Sequence, residues 1–168
     1  LADTLEVLNL SGNQLTRLPH DLPRLHRLRV VFCSNNPFIE LPPVLGDCAR
    51  LQMVGFKSCR IAQVDAASLP ARLRWLILTD NAIVRLPQAL GERPALQKLM
   101  LAGNRLHALP DSLAQANRLE LLRLSANALG ALPAWLATLP RLAWLALAGN
   151  PLGWHRTPAA PLQAVHWS

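Results

Sequence analysis

The frame L-x-x-L-x-L-x-x-N-x-L-x-x-L-P recurs seven times in this chain, and its spacing constrains the fold more than any other feature. The copies begin at Leu5, Leu28, Leu51, Leu73, Leu96, Leu119 and Leu142. Successive starts are 23 residues apart, except for one step of 22 from Leu51 to Leu73. The fifth copy is typical: Leu96, Leu99, Leu101, Asn104, Leu106 and Leu109-Pro110. The third departs most. Cys59 stands where the other six copies carry Asn, and Val64-Asp65 stands in place of Leu-Pro. The seventh holds the frame through Leu152 and loses it at His155.

Elementary geometry turns this frame into a structure. L-x-L has the period of a strand, so its two apolar side chains share one face. Successive copies then place their strands side by side in a parallel sheet. The Asn falls where the chain leaves the strand, and its amide can bond the backbone of its own turn and of the next coil. Pro after Leu fixes φ and ends the turn. Stretches such as "DSLAQANRL" (111–119) carry apolar residues at helical or 3₁₀ spacing and form the outer side. A single coil cannot bury its leucines, so stability comes from stacking. The missing residue of copy three falls in its outer segment. The expected consequence is a local tightening there, with the sheet intact.

The frame resembles that of the leucine-rich repeat proteins. The resemblance implies an α/β, right-handed solenoid, a curved horseshoe arc of about seven repeats over residues 1–155. Its parallel sheet lies on the concave face and short helical or 3₁₀ segments on the convex face. Residues 156–168 would be a cap or a linker, and in the stretch 153–168 Trp154, Pro158, Pro161 and Trp167 could fold over the last coil. More narrowly, "LADTLEVLNLSGN" (1–13), "RLRWLILTDN" (72–81), "ALQKLMLAGNRL" (95–106) and "LPRLAWLALAGNPLG" (139–153) resemble the N-terminal repeats of bacterial leucine-rich-repeat protein kinases. That resemblance implies a kinase-like domain after Ser168, and it fits an opening that reads as the middle of a longer chain. A free-standing adaptor or a secreted effector that engages a host protein is the alternative.

The outward positions of the strands define where a partner would sit. One column is Val7, Val30, Met53, Trp75, Lys98, Leu121 and Trp144; the next is Asn9, Phe32, Gly55, Ile77, Met100, Arg123 and Ala146. A third contains Lys57, and no acidic residue falls in the three. Seven strands at ~4.8 Å make a face about 30 Å across. Phe32, Met53, Trp75, Ile77 and Met100 form an apolar patch on copies two to five, flanked by Lys57, Lys98 and Arg123. Aromatic and Met side chains rimmed by cations suit a protein or peptide ligand. Gly55 is expected to leave a hollow at the centre of the patch, between Phe32 and Ile77.

The net charge of +7 raises nucleic acid as a partner. An Arg precedes the first Leu of most copies, at Arg27, Arg50, Arg72, Arg118 and Arg141, and would line one edge. The cations are spread along the chain and lack interleaved aromatics, so nucleic acid is an unfavoured reading, and a solvated edge suffices. No nucleotide-binding or kinase motif occurs, the five His are scattered, and no cofactor or metal is expected. His20-Asp21 reads as a surface pair and Cys33 as core. Three cysteines without metal spacing fit reduced thiols in the cytoplasm. No run of 18 uncharged apolar residues suggests a membrane span.

Overall fold

The computed structural model describes residues 1–153, so the expected cap or linker at 156–168 lies outside the described residues. Seven three-residue strands form one parallel sheet in chain order: β1 Val7–Asn9, β2 Val30–Phe32, β3 Met53–Gly55, β4 Trp75–Ile77, β5 Lys98–Met100, β6 Leu121–Arg123 and β7 Trp144–Ala146. The sheet does not close on itself. The crossovers are 3₁₀ segments: η1 Leu22–Arg24, η2 Pro43–Asp47, η3 Ala66–Ser68, η4 Gln88–Leu90, η5 Asp111–Gln115 and η6 Ala134–Thr138. Each is three to five residues long, one to two tight turns, and four of the six follow a Pro directly.

The register is the frame made physical: Val30 pairs with Met53, Met53 with Trp75, and Trp75 with Lys98. The first two columns read from the sequence are therefore true rows across the sheet. Burial follows stacking. Val31, Val54, Leu76, Leu99 and Leu122 are fully buried, whereas the equivalent Leu8 and Leu145 of the end coils are only partly covered. Each central side chain contributes roughly 1.5–3 kcal/mol. Leu1 is exposed and adds nothing to the core.

The short third copy passes through the sheet without a break, with Gly55 opposite Ile77. Its adjustment is on the convex side. There Ser68 is fully buried and donates a 2.7 Å hydrogen bond to the Leu41 carbonyl. It stands in the slot that Leu22, Leu45, Leu90, Leu113 and Leu136 fill in other copies. Gly46 makes the tightening possible, because a Cβ there would run into the Ala67 carbonyl.

One backbone feature repeats in every copy. The residue before the ladder position is left-handed: Gly12, Asn35, Ser58, Asp80, Gly103, Ala126 and Gly149 all have φ between 53° and 74°. Gly, Asn and Asp suit this conformation, and Ser58 and Ala126 do not. Ala126→Gly is expected to raise stability by about 1 kcal/mol, read as a higher urea midpoint at unchanged slope. A lower midpoint would mean that the Ala126 methyl contributes more by packing than it costs in strain.

Candidate protein-binding face

The sheet carries its outward side chains as expected, but they are less exposed than the sequence suggests. Phe32, Met53, Trp75, Ile77 and Met100 are each half-buried, because neighbouring rows cover them on both sides. The exposed large apolar members of the rows lie at the ends, at Val7 and Trp144. Lys98 and Arg123 are half-buried, and Lys57 is exposed.

Gly55 is buried, and the expected hollow is absent. The Phe32 ring lies over it, so that a Cβ on Gly55 would stand 2.5 Å from the ring edge. The missing side chain therefore seats the neighbouring aromatic; it does not open a pocket.

Trp75 is the best-held residue of the face. Its indole N–H donates to Gln97 Oε1 at 3.2 Å, and the Lys98 ammonium sits 3.9 Å from the ring centroid. Lys98 is its direct cross-strand partner. Arg123 likewise lies 5.0 Å from the Trp144 ring centroid. Contacts of this kind are worth roughly 0.5–2 kcal/mol and fix the ring before any partner arrives.

A fourth row, one residue before the first column, escaped the sequence reading: Glu6, Arg29, Gln52, Arg74, Gln97 and Glu120. Arg74 donates to Gln97 Oε1 at 3.1 Å, and the Gln97 amide donates to Glu120 Oε1 at 3.0 Å. Arg29 and Glu6 are 3.6 Å apart with both side chains about half exposed. The signal was available as a polar residue at a fixed offset from Leu. With the first column, this row bounds a cleft of about 120 Å³ lined by Arg29, Val30, Gln52, Met53, Arg74 and Trp75.

The Arg edge is present. Arg27, Arg50, Arg72, Arg118 and Arg141 are all exposed, and none forms an ion pair among the described residues. Cys33 and Cys48 are buried core thiols. Burial, with Cys59 nearby, pushes Cys33 up to about 12, and burial, with Asp47 nearby, pushes Cys48 up to about 11. Neither is a nucleophile at neutral pH. No group of His, Cys, Asp or Glu that could hold a metal occurs among the described residues. None of the described helices is long and apolar enough to cross a membrane.

Family profiles described as leucine rich repeat match residues 71–129 and 94–152, and a two-copy leucine rich repeat profile matches 3–45. The chain belongs to the leucine-rich repeat family. As a leucine-rich repeat solenoid it superposes on a leucine-rich repeat protein of Leptospira interrogans with a TM-score of 0.82 at 28% identity, covering 88% of this chain and 38% of that one. Among curated proteins it is 37% identical over 79 residues to a protein phosphatase PHLPP-like protein of Drosophila melanogaster, across 46% of this chain and 8% of that protein. It is 28% identical over 100 residues to a probable inactive serine/threonine-protein kinase of Dictyostelium discoideum, across 56% of this chain and 4% of that protein. This leucine-rich repeat chain thus spans less than a tenth of the length of either curated relative.

Proposed function

We propose that the concave face over β2–β6 binds a protein or peptide, and that the domain is the recognition or regulatory region of a larger signalling protein with a kinase-like domain. Leucine-rich repeat domains are typically protein-binding modules, which supports the first part. A far longer relative named for a probable inactive kinase supports the second. The carrying observation is Trp75, pinned by Gln97 and Lys98 in an apolar patch. A pre-ordered, half-buried aromatic with a charged rim has the character of a binding hot spot.

The test is the double variant Trp75→Ala/Phe32→Ala, used as bait in affinity capture from the source cells. Its folding is checked by circular dichroism and melting. The proteins captured by the wild type should fall by about 30-fold or more, since one hot-spot truncation costs about 2 kcal/mol or more. Undiminished capture by the folded variant would discard the concave face as the binding site. For the second part, the gene beyond Ser168 should encode kinase motifs; a stop codon there would favour a free-standing adaptor or effector.

A further inference from the structure

We infer that the partner segment is acidic: it places one apolar side chain in the cleft between Met53 and Trp75 and a carboxylate against Arg74 and Arg29. This rests on the concave-face reading and specifies its ligand. The cleft has apolar walls and a cationic mouth. Its volume of about 120 Å³ is well below that of a small-molecule pocket, ~300–1,000 Å³, so it accommodates a side chain.

Carboxylates stand only at the ends of the polar row, at Glu6 and Glu120. On the four outward rows of β2–β5 the charged residues are Arg29, Arg74, Lys98 and Lys57, with no carboxylate among them. Arg74 spends one of its five N–H donors, on Gln97. Among the described residues Arg29 pairs only with Glu6, at 3.6 Å with both side chains about half exposed. A pair so solvated holds its partners weakly, and a bidentate carboxylate would displace it. Nucleic acid would bring phosphates, but it also needs ring faces for its bases. One face of Trp75 already lies under Lys98. An acidic peptide uses both halves of the site, the dry wall and the guanidiniums.

The probe is a phage-displayed library of random 12-residue peptides selected on the full 168-residue chain. Enriched peptides are expected to carry Asp or Glu within about three residues of a large apolar residue. The strongest, made synthetically, should bind at least tenfold more weakly to Arg74→Gln, and its Asp/Glu-to-Asn/Gln analogue should lose as much on the wild type. Arg74 is exposed, so the variant should melt as the wild type does. Neutral or basic peptides that need Trp75 but ignore Arg74→Gln would overturn the acidic inference and leave the concave face standing. Peptides indifferent to both Trp75→Ala and Arg74→Gln, or no enrichment at all, would overturn both. A 20-nucleotide oligo-dT that displaces the acidic peptide at concentrations below the peptide's own Kd would also overturn the inference, in favour of nucleic acid.

Discussion

Asn127→Ala should lower folding stability by on the order of 2–4 kcal/mol, because one side chain bonds three backbone groups in a dry setting and is, among the described residues, the sole partner of one of them. Asn127 donates to the carbonyls of Leu101 and Leu124 at 2.9 and 3.0 Å, and its oxygen accepts the Leu106 N–H at 3.0 Å. Only 8% of the residue is exposed. The Leu106 N–H would be left unpaired, at roughly 1–3 kcal/mol, while the Leu101 and Leu124 carbonyls keep the amides of Asn104 and Asn150; the lost bonds also tie adjacent coils to each other. A urea midpoint measures the loss; a change under about 1 kcal/mol would mean that water takes the vacated place.

The chain carries its own comparison. Cys59 is the one ladder position without Asn, and its thiol reaches the Cys33 and Lys57 carbonyls only at 3.5 and 3.7 Å. It also offers no oxygen to the Phe38 N–H, which has no partner among the described residues although its counterparts bond Asn oxygens. The sequence suggests the loss of a single hydrogen bond, of about 1 kcal/mol; the structure shows a weakened donor and a missing acceptor. Cys59→Asn should therefore stabilise by about 1–2 kcal/mol. The first rung calibrates the other end of the scale. Asn13 is exposed and among the described residues bonds only its own turn, so Asn13→Ala should cost about 1 kcal/mol or less.

What was legible in the sequence is what period carries. The inward leucines, the Asn rungs and the order of the rows follow from a fixed spacing, and even the short copy was placed correctly against the sheet. Side-chain direction within a row is different. Gly55 looked like an opening because a missing side chain reads as space, whereas a large neighbour on the adjacent strand folds into it. The Arg29–Gln97 row was missed because its residues differ in kind and share only position. Left-handed φ was hidden in the same way. Gly appears there in three copies, but Ala126 and Ser58 break the composition cue while keeping the conformation. Ser68 in a leucine slot reads as an exception until the hydroxyl is seen on the Leu41 carbonyl.

Phe56→Ala should cost about 3–5 kcal/mol and should split the solenoid. Phe56 is fully buried and packs edge-on against Phe38, with ring centroids 5.0 Å apart. It fills the slot held by Leu78, Leu101 and Leu124 in later copies, beside a copy in which that slot holds the smaller Cys33. The two large rings thus supply volume that Cys33 withholds, and close packing makes their joint removal hard to heal. Stability in such an array is a sum of coil terms and neighbour terms. A cavity between the second and third coils therefore weakens the junction of β1–β2 with the rest more than it weakens β5 and β6. Amide hydrogen exchange should show protection falling in β1–β3 while Leu99 and Leu122 keep theirs, and denaturation should lose its single transition. Phe56→Leu, which restores the residue of the later copies, should recover most of the loss. Uniform loss of protection across all seven strands would instead make the solenoid one cooperative unit.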